Sequence, residues 1–334
     1  MRFILAEYLD DSIDFSLYLR ETDAQTKVKP ARAWSEDLKA RLRAKAITKK
    51  IYLPWEKTND SFHFRPGEVS LWSGQNGHGK SLVLSQVALS LMGQEQRVCI
   101  ASFEMKPAET LQRMARMNCG MNPFSPEFQG DSGIAALDEL YDDFFGWTDH
   151  KLWLYDQMGT AEAKTVVGMA RYCAKELKMN HIIVDNLAKC VRDEDDYNAQ
   201  KSFIDDLTAV ARDHSVHIHV AHHLKKPAKE GDVPDKHDNK GTGAITDLVD
   251  NIFMVWRNKP KEDDVKANSS MAKKMGEPDQ FLLCRKQRNY DGSGEGEPTI
   301  KLWFHRDAQQ YVAEPHDPPQ FFQNYPHRAT PGNY

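Results

Sequence analysis

Eight consecutive residues, Gly74-Gln75-Asn76-Gly77-His78-Gly79-Lys80-Ser81, have the spacing Gly, four residues, then Gly-Lys-Ser. Glycines at those places let the backbone turn tightly, so that its N–H groups point inward and cradle a β-phosphate. Lys80 then reaches the β- and γ-phosphates, and the Ser81 hydroxyl is placed to hold Mg2+. More polar residues stand at or just past the ends of apolar runs: Glu104, Asp185 and the pair His222-His223. Phosphoryl transfer from ATP to water needs positioned phosphates, a metal, an aligned water and charge stabilisation. Asp185 is the candidate second anchor of the Mg2+ shell. Glu104 is the candidate base for the water. His223 is a candidate contact to the γ-phosphate that would register its loss. Each has a plainer alternative, a helix cap for the two acids and an ordinary polar role for the histidine. His217 and His219 share one face of a strand, which is the geometry of a metal pair, but no Cys, Asp or Glu nearby completes a ligand set.

These residues need elements to hold them. Glu68 to Trp72 predicts a strand into the glycine-rich loop, and Leu82 to Met92 a helix out of it that stops at Gly93. The helix N-terminus adds its positive dipole where phosphates would lie. Further strands are predicted at Arg97–Phe103, Leu152–Asp156, His181–Asn186, Val216–Ala221 and Ile252–Trp256, and late ones at Phe281–Cys284 and Thr299–Phe304. Helices are predicted from Pro107, and over Ala135–Phe145, Ala161–Leu177 and Ala199–His214. Strands alternating with helices make an α/β fold, a mainly parallel sheet covered on both faces. Such sheets carry their sites at the carboxyl ends of the strands, which is where Gly74, Glu104, Asp185 and His223 fall.

With 334 residues, 40% hydrophobic and 28% charged, the chain has material for a substantial core. Its net charge of −5 gives no global sign of nucleic-acid binding, so any such surface must be local. The five cysteines form no CxxC pair, which fits reduced thiols in a cytoplasm. No stretch approaches the ~20 apolar residues of a membrane span. Residues 1–34 read as an arm of unknown role. Residues 35–50 read as a helix capped by Ser35, with Leu38, Leu42 and Ala46 as a narrow apolar stripe. From Arg32 to Lys50 there are seven basic residues against two acidic ones. The length of Leu224–Gly243 suggests a functional loop. Arg257–Gln280 and the segment from Glu314 to residue 334 show no periodicity and are expected to be flexible.

The motifs together resemble a known family. Phe64-Arg65-Pro66-Gly67-Glu68-Val69, leading into the loop, resembles the start of the ATPase domain of replicative ring helicases: the DnaB family, the primase-helicases of T-odd phages and mitochondrial Twinkle. Ser102-Phe103-Glu104-Met105 resembles that family's S-L-E-M motif, which implies Glu104 as catalytic base. His222-His223-Leu224-Lys225-Lys226-Pro227 resembles the phage-type sensor motif, which favours His223 over His222. Lys240-Gly241-Thr242-Gly243-Ala244-Ile245 with Asp250 resembles the segment beside the DNA-binding loop. Lys286-Gln287-Arg288-Asn289 resembles the K-Q-R-N motif, which implies that Arg288, with Lys286, reaches the ATP of a neighbouring subunit.

The resemblance covers about residues 50–312. It implies a RecA-like P-loop ATPase core over 51–313, and a linker helix at 35–50 that docks on the next subunit. It also implies a ring, expected to be a hexamer, around single-stranded DNA. The segment Lys225 to Lys240 is the expected DNA loop, with Lys225, Lys226, Lys229, Lys240, Gly241 and Gly243 at the strand. Its five lysines against four acids are less telling than its position after His223. The reading is an ATP- or other NTP-driven, Mg2+-dependent DNA helicase of a phage or prophage, working in the host cytoplasm. Some 50 residues before the core are too few for a primase or collar, so a separate primase and polymerase are expected as partners. The alternatives are a RecA/RadA-like recombination or repair ATPase, against which Ser102–Met105 and Lys286–Asn289 weigh, and a nucleotide-switched adaptor, against which Glu104 weighs.

Overall fold

The computed structural model describes residues 14, 16, 31–36, 39, 49–191, 196–224, 233–235, 238, 243–268, 271–290 and 296–323. Its centre is a nine-stranded sheet. The strands are β1 (Val69–Gly74), β2 (Val98–Ser102), β3 (Leu152–Tyr155), β4 (His181–Asp185), β5 (His217–His223), β6 (Asn251–Arg257), β7 (Gln280–Gln287), β8 (Thr299–His305) and β9 (Gln310–Val312), in the order β3-β2-β4-β5-β1-β6-β7-β8-β9. The first six run parallel, and the last three turn back antiparallel. β1, β2 and β4 are buried along their whole length, as expected of parallel strands covered on both faces.

Strand alternation divides the core in two. One face carries Val69, Leu71, Ala101, Ile182 and Val184, packed under α4 (Ala163–Lys175) and α5 (Tyr197–His214). The other carries Trp72, Ile100, Ile183 and Phe253 under α1 (Lys80–Gly93) and α2 (Pro107–Cys119), with Phe144 of α3 (Gly130–Thr148). α1 is apolar nearly all round because it is buried nearly all round. Its Gln86 is buried too, and exchanges two hydrogen bonds of 2.8 Å with the Tyr311 backbone in β9. Helix limits follow local chemistry. Pro107 opens α2, Gly120 at φ +71° closes it, and the Asp196 carboxylate caps α5 through the Ala199 N–H at 2.9 Å.

Several expectations need correcting. α3 begins at Gly130, five residues before the predicted start. β5 runs on through His222 and His223 instead of stopping at Ala221. Within Arg257–Gln280, expected to be flexible, lies α7 (Lys259–Asn268). It is held by charge: Asn258 caps the Lys261 N–H, Glu262 pairs with Arg257 and Lys259, and Lys261 pairs with Asp279 at 2.6 Å. The segment after Glu314 is packed as far as residue 323. Gln310 and Gln320 exchange hydrogen bonds, Gln320 reaches the Pro54 carbonyl, and Phe322 joins the core. Of the expected linker helix, Ser35, Glu36 and Lys39 are helical, with Ser35 inside the helix and not at its cap. Lys49 and Lys50 are not helical, and 37–38 and 40–48 lie outside the described residues, as do most of 1–30, 193–195 and 324–334. Among the described residues no helix is long and apolar enough to cross a membrane.

The histidines of the central strands form a buried layer at the sheet's starting edge. His217 Nδ1 meets the Arg65 carbonyl at 2.7 Å and its Nε2 meets Ser70 at 2.8 Å. His181 and His219 share a 3.0 Å contact, and Trp72 donates to His219. Phe64 stands edge-on to all three rings. Burial carries His217 down to about 4, and His181 and His219 well below their ordinary value. The unfolded chain therefore takes up these protons first as pH falls. Stability from the layer is complete above about 6.5 and is lost toward pH 4, at up to ~1.4 kcal/mol per pH unit per histidine. Glu68, raised by burial, opposes this in the acidic part of the window. Urea unfolding between pH 7.5 and 5 should show a falling midpoint. A flat one would contradict the neutral layer.

Candidate nucleotide-binding and hydrolysis site

β1 delivers Gly74 to the loop, and α1 starts at Lys80. Gly77 and Gly79 take φ of +75° and +85°, where a side chain is strained. Space is also short. A Cβ on Gly74 would lie 2.7 Å from the Val255 carbonyl oxygen, and one on Gly79 2.6 Å from the Tyr311 hydroxyl. The loop between them, Gln75-Asn76-Gly77-His78, is steadied by Arg257. The Arg257 N–H donates to His78 Nδ1 at 3.2 Å, and its guanidinium donates to the Gly77 carbonyl at 3.3 Å. Burial first, then Lys80, takes His78 down to about 4, so its ring is neutral and free to accept.

Lys80 Nζ donates to the carbonyls of Gly74 (2.8 Å) and Gln75 (3.1 Å) and sits 3.2 Å from His223 Nδ1. Burial pulls it down to about 8, against the opposing pull of Asp185 and Glu104. It is still mostly an ammonium at neutral pH, wrapped in oxygens that phosphate could replace. Ser81 Oγ donates to Asp185 Oδ2 at 2.6 Å. Burial raises Asp185, while the Ser81 bond, Lys80 and Arg113 counter it. A hydroxyl and a carboxylate drawn together at the start of a helix form the hard-oxygen donor set that suits Mg2+.

The register aligns the rest. Gly74 lies opposite His223 and Ser102 opposite Asp185, so β1, β2, β4 and β5 end together. Glu104 stands just beyond β2 and is exposed. It is joined to His223 through a residue that motif reading passed over. The buried Asn186 side-chain nitrogen donates to Glu104 Oε1 at 2.7 Å and lies 3.1 Å from His223 Nε2. The signal available was its place immediately after Asp185. Tyr311 and Arg257 were also missed, and neither carries a local signal.

Lys286 and Arg288 are not part of this cluster. β7 runs antiparallel to β6, so its end lies opposite Asn251, at the edge of the sheet away from the loop. There both side chains cap α6 (Gly243–Leu248). Lys286 Nζ donates to the carbonyls of Thr246, Asp247 and Val249, and Arg288 donates to those of Asp247, Leu248 and Val249. Arg288 also pairs with Asp250 at 3.2 Å, and Asn289 donates to Glu68 at 2.7 Å. Of the expected DNA-contacting residues, Gly243 opens α6. Lys225, Lys226, Lys229, Lys240 and Gly241 lie outside the described residues.

Residues 57–229 match the family described as "AAA domain". The fold is similar to a solved structure described as an "ATPase Domain", with a TM-score of 0.65 at 15% identity over 84% of this chain and 98% of that one. It is also similar to the structure titled "The Structure Of A DnaB-Like Replicative Helicase And Its Interactions With Primase", with a TM-score of 0.64 at 16% identity over 83% of this chain and 66% of that one. The expected α/β fold, with its mainly parallel sheet, is thus the fold of both solved structures.

The back wall of the loop is testable. Gly79→Ala should weaken both nucleotide binding and thermal stability, since it adds a clash to a strained φ worth roughly 1–3 kcal/mol. Tyr311→Phe in the same chain should restore part of each by removing the hydroxyl. No recovery in a nucleotide titration and melt would mean that Tyr311 does not support Gly79.

Proposed function

The chain belongs to the AAA-domain family, and on that premise we propose that it is an ATP-driven replicative DNA helicase that works as a ring, expected to be a hexamer, on single-stranded DNA. The observation that carries the reading is the convergence of Lys80, Ser81, Asp185, Glu104 and His223 on one sheet edge. In it Lys80 exchanges the Gly74 and Gln75 carbonyls for phosphate oxygens. Ser81 and Asp185 would hold Mg2+, which would neutralise charge on the phosphates. Glu104, exposed to solvent at the strand end, takes the proton of the attacking water. His223 stands beside Lys80, where it meets the terminal phosphate, and its strand continues directly into the segment that carries Lys225, Lys226, Lys229 and Lys240. Salt-sensitive, sequence-tolerant contact to a DNA strand is the role assigned to that segment, with Gly241 and Gly243 at its end.

Two features support a ring. Arg288 and Lys286 lie on the edge opposite their own loop, so a head-to-tail neighbour is the partner whose nucleotide they would serve. α3 exposes Ile134 and Phe145 amid Asp138, Glu139, Asp142 and Asp143. That surface matches in character the apolar residues and basic charge that the sequence places between 35 and 50, offered by a second copy. A separate primase and polymerase complete the assembly, and the free, buried cysteines suit a cytoplasm. The His222–Pro227 motif supports a phage or prophage source.

On a forked substrate the wild-type protein should displace a strand with ATP, and Lys80→Ala should lose at least about 100-fold in DNA-stimulated hydrolysis, or ~2.7 kcal/mol. Hydrolysis without displacement would instead favour a recombination-type ATPase. Arg288→Ala, mixed in equal amounts with wild type, should cut activity well below half. A loss in simple proportion to the variant added would remove the role in trans.

A further inference from the structure

We propose that Asn186 is a positioning residue for hydrolysis: its single buried amide holds the Glu104 carboxylate and the His223 imidazole together, so that base and phosphate sensor move as a unit. The inference rests on the roles proposed above for those two residues. β4 lies between β2 and β5 in the sheet, so the residue that follows Asp185 stands between Glu104 and His223. Asn186 is 1% exposed; its one –NH2 group donates to Glu104 Oε1 at 2.7 Å and stands 3.1 Å from His223 Nε2. Among the described residues it is the only hydrogen-bond donor to the Glu104 side chain. The amide cannot be turned over, because its oxygen would then face a carboxylate oxygen at donor distance. Its Oδ1 is buried without a partner among the described residues, so the orientation is set by the nitrogen's contact to Glu104. A carboxylate at an exposed strand end has many rotamers, and a general base works only within hydrogen-bond reach of its water. Asn186 removes that freedom, and passes any shift of the His223 ring on contact with phosphate to the position of Glu104.

In the full-length protein, Asn186→Ala and the near-isosteric Asn186→Leu should each lower kcat for ATP roughly 10- to 100-fold. KM and the Kd of a fluorescent ADP analogue should stay within about threefold, because neither contact of the Asn186 amide is to the phosphates. Asn186→Ser, which returns one donor, should recover part of the rate lost in Asn186→Ala, and this pair serves as the test if the leucine variant melts early. Added to Glu104→Gln, any of these should cost less than about twofold more, as expected of residues acting through one another. If Asn186→Leu runs at the wild-type rate, or its loss adds in full to that of Glu104→Gln, the role of Asn186 falls and Glu104 stands as base. If Glu104→Gln is itself as fast as wild type, both fall.

Discussion

Lys80 carries a charge that folding takes out of water, and much of the site serves to solvate it. An unpaired ammonium in the interior is expensive. Here two loop carbonyls accept its protons, His223 stands against it, and Asp185 and Glu104 supply opposing charge. Those carbonyls point at Lys80 because Gly74 and Gly79 admit backbone where a Cβ would collide. The carboxylates and imidazole lie in range because four parallel strands end in register. Of these groups, His223, Asp185 and Glu104 are the ones that the proposed phosphoryl transfer would use, and the two carbonyls are the ones that phosphate would displace.

What the sequence made legible follows from range. The loop, its strand and its helix are contiguous, so spacing and apolar period suffice. The parallel strands are equally plain, since burial on both faces leaves nearly unbroken apolar runs such as Ile182-Ile183-Val184. Missing from that reading is what depends on partners far along the chain. α7 has hardly any apolar face and exists through Arg257, Glu262, Lys261 and Asp279, charges that composition reads as disorder. The residues from Glu314 look like a tail until Gln310 and Gln320 are seen to pair. Asn186 is an ordinary residue whose importance lies in standing between two strands that are not its neighbours in sequence.

The Lys286–Asn289 motif holds a second lesson. Reading it by resemblance assigns it to a neighbour's nucleotide, yet within one chain all four residues are engaged. Lys286 and Arg288 hold α6, Gln287 reaches the Ser61 and Gly296 carbonyls, and Asn289 joins Glu68. The motif ties the end of β7 to the starts of β1 and β6. A substitution there therefore has a local structural cost beside any effect between subunits, and the two are separable only by mixing variant and wild-type chains.

The hydroxyl of Tyr311 sits against Gly79, and Gln86, at the middle of the helix that follows, is bonded to the backbone of the same tyrosine 225 residues away. At 5–20 residues per second, a ribosome needs roughly 10–50 s to travel that distance. Through that interval the nascent chain has the whole phosphate-binding motif but not the wall behind it, and Arg257 beside it is itself made only late in that span. The glycine-rich loop is among the first parts of this core to be made and among the last to be finished. During synthesis its competence is set by the arrival of the closing strand.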